Sequence, residues 1–127
     1  MLRPIALLAA TLVLTSLPAA PAFAAGAVPT KIGQCVQTSL KEVGTRLEGV
    51  PDSGSAVVYA NGIFGIDYET VKAITRAKKG DKITLCLTSI PKDCPPGDDR
   101  GKFYSALDHR TKGKWNLPDA EHMCGGA

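Results

Sequence analysis

Four cysteines, Cys35, Cys86, Cys94 and Cys124, stand in a chain of 127 residues behind an amino-terminal segment that reads as an export signal. An exported chain meets an oxidising compartment, where an even number of thiols in a short domain pairs into disulfides. Two bridges therefore constrain any fold, with three possible connectivities. We favour Cys86 with Cys94, which closes a local loop, and Cys35 with Cys124, which ties the two ends of the domain together. In the chain-entropy account these would contribute about 2.5 and about 4.5 kcal/mol. A zinc site is the rival use of the thiols, and its spacing fails: no pair shows the short gap of a zinc knuckle, and the chain has two His.

The export signal has three parts. Arg3 supplies a positive start, Ile5 to Leu17 is almost wholly apolar, and Ala22, Phe23 and Ala24 form a small-x-small cleavage site that leaves Ala25 first. Pro18 and Pro21 end the apolar run short of the about 20 residues a membrane helix needs, so the expected destination is periplasmic or secreted, not membrane-spanning after cleavage. No Cys stands at the cleavage point to carry a lipid. We read residues 1–24 as signal peptide, 25–30 as a flexible leader and 31–127 as a single disulfide-stabilised domain. With 44% hydrophobic and 21% charged residues the chain suits one globular unit. Its formal charge of +3 includes Arg3 of the signal, so the mature domain is only slightly basic and no nucleic acid partner is expected.

Strand signals dominate the rest. Ile32, Val36, Leu40, Val43 and Leu47 fit a helical spacing, while Val36, Thr38 and Leu40 alternate as a strand does. Gly33, Gly44 and the β-branched content favour a long, bent or bulged strand. Ser55 to Ala60 and Ile63 to Tyr68 flank Asn61-Gly62, a hairpin turn dipeptide. Thr70 to Lys79, closed by Gly80, reads as a short helix. In the next strand Ile83, Leu85 and Leu87 face one way and Thr84, Cys86 and Thr88 the other. Pro91, Pro95, Pro96 and Gly97 then forbid regular structure up to Gly101. Phe103 to His109 and Lys114 to Leu117 form a second hairpin, and the tail from Pro118 needs a bridge to pin it. The expected architecture is mainly β, a small SH3-like or OB-like barrel of five or six short strands with one short helix; a flat sheet with a covering helix is the alternative.

Few residues point to chemistry. Asp98, Asp99 and Arg100 follow the proline-rich loop, where carboxylates can hold calcium or Arg100 can fork onto an anion; a turn with an internal salt bridge is the plainer account. Trp115, among Arg110, Lys112 and Lys114, can stack on a sugar or base, or simply pack in the core. His109 and His122 lack the spacing of a metal site or a general base. No G-x-S-x-G elbow occurs, and bridged cysteines are not nucleophiles. Asp98, Asp99, Arg100, Arg110 and Trp115 are therefore the candidate binding residues, with no catalytic residue, metal or cofactor expected.

Gly80-Asp81 through Cys86-Leu87, the run Cys94-Pro95-Pro96-Gly97-Asp98-Asp99-Arg100-Gly101 and the ending His122-Met123-Cys124-Gly125-Gly126 resemble small exported proteins of unknown function from Gram-negative bacteria. The resemblance implies a periplasmic, disulfide-bonded domain and brings no activity with it. The expected function is a non-enzymatic binding domain for an envelope protein or glycan. The alternatives are an inhibitor of an envelope-targeting hydrolase such as lysozyme, which would call for more acidic surface, and a small His-dependent hydrolase or metal-dependent enzyme.

Overall fold

The computed structural model describes residues 10, 12–18 and 26–126. The expected export signal falls largely, and its cleavage site at Ala22, Phe23 and Ala24 wholly, outside the described residues. Among them, no helix is long and apolar enough to cross a membrane.

Among the described residues there are six strands and one helical turn: β1 (Cys35–Thr45), β2 (Ser55–Tyr59), β3 (Phe64–Asp67), α1 (Lys72–Thr75), β4 (Lys82–Ser89), β5 (Phe103–Asp108) and β6 (Lys114–Pro118). They form one antiparallel sheet in the order β3-β2-β1-β4-β5-β6, curled into a half-barrel. The inner face carries the core. Alternation along β4 buries Ile83, Leu85 and Leu87 almost completely, and each such side chain contributes about 1.5–3 kcal/mol. Leu40, Val57, Tyr59, Tyr104, Trp115 and Leu117 complete the inner face, and Ile74 of α1 closes one end over it.

The curl brings the outermost strands together without a ladder between them. Gly65 of β3 makes this approach possible: a Cβ there would lie 2.9 Å from Val57 Cγ2 and 3.2 Å from Leu117 Cδ1. The flat-sheet alternative is thereby set aside.

The ambiguous spacing of Ile32 to Leu47 has a physical cause. β1 pairs with β4 from Cys35 to Ser39, then with β2 as far as Thr45, and its register shifts between Leu40 and Glu42. The one extra residue of this bulge moves the inner-face positions from even numbers (Val36, Thr38, Leu40) to odd ones: half-buried Val43 opposite Val57, and Thr45, exposed at the rim, opposite Ser55. A period of two interrupted once imitates a helical spacing. A hairpin turn forms at Asn61-Gly62, but over three residues rather than the two expected: Tyr59 N–H donates to Ile63 O (2.9 Å), Gly62 N–H donates to Tyr59 O (2.9 Å), and of the loop residues only Gly62 takes positive φ, at +87°.

One expectation is corrected. The bridges are Cys35–Cys86 and Cys94–Cys124, not Cys86–Cys94 and Cys35–Cys124. Cys35 and Cys86 are directly opposed in the β1–β4 ladder, with Cα atoms 4.0 Å apart, so register decides that pair. Cys94 then meets the tail instead of its near neighbour in sequence. From Ala27 on, the leader makes contacts with the domain: Asn61 Nδ2 donates to Ala27 O (2.9 Å), the Thr30 N–H donates to Gln34 Oε1 (2.8 Å), and Pro29 is fully buried.

Proteolytic mapping of the non-reduced protein is expected to recover peptides joined through Cys35–Cys86 and Cys94–Cys124. Replacing both members of either bridge by Ser is expected to lower stability by about 3–4 kcal/mol on chain-entropy grounds, read from equilibrium urea unfolding.

Candidate functional site

The residues singled out in the sequence fall in three separate places. Asp98 and Arg100 face each other as a fork, Nε to Oδ1 and Nη2 to Oδ2 both at 2.8 Å. The same groups hold the tail: Gly125 N–H donates to Asp98 Oδ2 (2.9 Å), Arg100 Nη2 donates to Gly126 O (3.2 Å), and Cys124 N–H donates to Arg100 O (3.0 Å). The Arg100 guanidinium, with the Gly125 and Arg100 N–H groups, keeps the Asp98 carboxyl well below the usual carboxylate range. Asp99 is exposed and reaches only Lys102, at 3.5 Å. This cluster is a clamp on the chain's own end, reinforced by Cys94–Cys124.

Arg110 lies at the other end of β5. Its Nε and Nη2 donate to Asp81 Oδ1 and Oδ2 (2.7 and 2.9 Å), and Nη2 also donates to Arg76 O (2.8 Å). Asp81 is 8% exposed, and the guanidinium chiefly lowers its carboxyl to about 2. Trp115 does not present a face to a ligand. Alternation along β6 turns it inward beside Leu117, it is 6% exposed, and its indole N–H donates to Tyr59 Oη (2.8 Å). Burial pushes the Tyr59 phenol far up, so the hydroxyl stays neutral as partner to the indole. His109 Nε2 lies 2.6 Å from Thr84 Oγ1 on the outer face, and His122 is exposed in the tail. Among the described residues no cluster of His, Cys, Asp and Glu is arranged to hold a metal ion.

A different feature has the geometry of a binding site. Below the bulge, β1 has β2 on one side and, among the described residues, no strand on the other. The Arg46 N–H bond to Gly54 O sets the phase of the β1–β2 ladder, so Glu42 and Gly44 bond to β2. The N–H and C=O groups of Val43 and Thr45 consequently point outward from the sheet edge. A groove of about 340 Å³ lies on each face of this edge. The inner one is bounded by Val43, Thr45, Thr70, Ile74, Thr75 and Ala77; the outer one by Glu42, Arg46, Glu48, Ala56, Val58 and Phe64. Arg46 turns away from the outer groove. Its Nε donates to Ser53 O (2.8 Å), Nη1 reaches Glu121 Oε1 (3.4 Å), and its guanidinium lies 4.4 Å over the Tyr68 ring. Glu42 and Glu48 have no ion-pair partner among the described residues.

None of these edge residues was singled out in the sequence. The available signal was Gly44 inside a strand pattern together with the broken period. No family model, curated protein or solved structure matches the chain, and no residue role comes to the site from a relative.

Tyr59→Phe leaves the buried Trp115 N–H without its acceptor and is expected to cost about 1–3 kcal/mol, measured by urea unfolding followed through Trp115 fluorescence. Because the Asp81 carboxyl is lowered on folding, its stabilisation is complete above the usual carboxylate value and fades as pH falls through about 2. Asp81→Asn should remove that part of the acid dependence while costing at most about 2 kcal/mol at neutral pH, since half-exposed Arg110 is screened. Urea midpoints between pH 6 and pH 2 check both the sign and the size.

Proposed function

We propose that the chain is a non-catalytic, exported binding domain, periplasmic or secreted, that recognises another protein of the envelope at the lower edge of β1. The observation that carries this reading is the stretch from Glu42 to Thr45, laddered on one side only and flanked by two grooves of about 340 Å³ each. Grooves of that size fall in the range of small recognition sites. Export is supported by the two disulfides, which persist in oxidising compartments. A protein suits the edge better than a glycan does, because Val43 and Thr45 offer main-chain donors and acceptors at the spacing of another backbone, and Trp115, the natural sugar platform, is spent inside the core. Asp98, Arg100 and Arg110 are engaged in holding the fold, and all four thiols are bridged, which leaves no cysteine nucleophile.

Site-specific photocrosslinking in the exporting cell tests this. A photoreactive benzoylphenylalanine at Glu42 is expected to give a discrete crosslinked partner, and the same group at Asn116, on the outer face of β6, is expected to give none. Equal crosslinking from both positions, or crosslinking from Asn116 alone, would remove the β1 edge as the recognition site.

A further inference from the structure

We infer that the free edge of β1 receives its partner by strand addition, and that the segment received is extended and basic. This rests on the edge being the recognition site and goes further by naming the binding mode and the ligand chemistry.

The backbone supplies the first half of the argument. Above the bulge, even-numbered residues of β1 bond to β4: Leu87 N–H donates to Gln34 O, and Leu40 N–H donates to Asp81 O. Odd-numbered residues there face β2, as the bond from Ala60 N–H to Ser39 O shows. The bulge between Leu40 and Glu42 reverses this phase, so Arg46, Gly44 and Glu42 bond to β2 while Val43 and Thr45 take the side that β4 has left. No hydrogen bond from the outward N–H or C=O of either residue to another part of the chain is found among the described residues. Two such residues, two apart on a strand, present the repeat that a neighbouring antiparallel strand pairs with. The sheet's outermost strands lack this opportunity, since β3 and β6 close on each other through Gly65 and Leu117.

The side chains supply the second half. A strand laid beside Val43 and Thr45 would place alternate side chains inward and outward. The inward ones enter the slot lined by Ile74, Thr75 and Ala77, which is mostly apolar. The outward ones lie beside Gly44, where nothing stands within 4 Å of the position a Cβ would take. Their electrostatic surroundings are Glu42 and Glu48, carboxylates without ion-pair partners among the described residues, while the guanidinium lining the groove, Arg46, is committed to Ser53, Glu121 and the Tyr68 ring. Lys41 is at the bulge itself, beyond the pairing window. Apolar residues inward and lysine or arginine outward are the complement of this edge.

The test uses the oxidised mature protein, isotope-labelled, and a pool of eight-residue synthetic peptides with lysine at alternate positions and apolar residues between. In the free protein the Val43 and Thr45 amides should exchange with solvent at least about tenfold faster than those of Glu42 and Gly44. The lysine pool should slow Val43 and Thr45 at least about tenfold; a pool with glutamate in place of lysine should bind at least about tenfold more weakly, and a pool N-methylated at alternate residues should give no protection. The double variant Glu42→Lys, Glu48→Lys, which alters two exposed side chains, should reverse the preference between the lysine and glutamate pools. If the lysine pool shifts groove resonances but leaves Val43 and Thr45 exchange unchanged, strand addition is overturned while the recognition site stands. If the amides are already protected in the free protein, or the pool binds only at another face or not at all, the inference fails outright; crosslinking from Glu42 then tells whether the recognition site fails with it.

Discussion

One extra residue in β1 governs the shape of this domain. β1 is the strand through which the two halves of the sheet are joined, paired with β4 along its first half and with β2 along its second. The bulge between Leu40 and Glu42 both turns the strand and exchanges the directions in which its hydrogen-bonding groups point. With the sheet turned, β3 can meet β6 across Gly65 and the inner face can close over Tyr59 and Trp115. With the directions exchanged, two residues are left facing outward where β4 has stopped. The fold and the exposed edge thus share one cause.

The covalent ties act on parts of the chain that the sheet holds unequally. Cys35–Cys86 joins two residues that the β1–β4 ladder already sets opposite each other, so it reinforces a contact made by the backbone. Cys94–Cys124 joins two segments without regular structure, the proline-rich loop and the glycine-ended tail, and there the Asp98–Arg100 fork and Asp119 work with it. Asp119 Oδ1 accepts from the Gly101 and Lys102 N–H groups, bringing the start of the tail to the start of β5. Asp98 and Arg100, which stood out in the sequence because they cluster, satisfy backbone donors and acceptors of the tail that no strand reaches.

Much of the fold was legible in the sequence for local reasons. A dipeptide such as Asn61-Gly62 announces a turn, the alternation of Ile83 to Thr88 states which face is buried, and five prolines and glycines among the twelve residues from Ile90 to Gly101 exclude regular structure. The disulfide pairing was not legible. Proximity in sequence favoured Cys86 with Cys94, whereas the pairing depends on the register of β1 against β4, a relation between strands 51 residues apart at the bridge. The contacts of the leader were illegible for a similar reason: nothing near Pro29 in sequence announces that Asn61 will hold Ala27 and that Pro29 will be covered.

The sequence by itself determined the class, a mainly β domain with two disulfides, because alternation, turn residues and an even cysteine count are properties of short stretches of chain. Only the tertiary structure decided which cysteines meet, that Trp115 faces the core rather than a ligand, and that Val43 and Thr45, beside β2 on one side, have no strand on the other among the described residues. Each of these depends on where one strand ends relative to another. A local pattern records which way a side chain points, but not what stands opposite it.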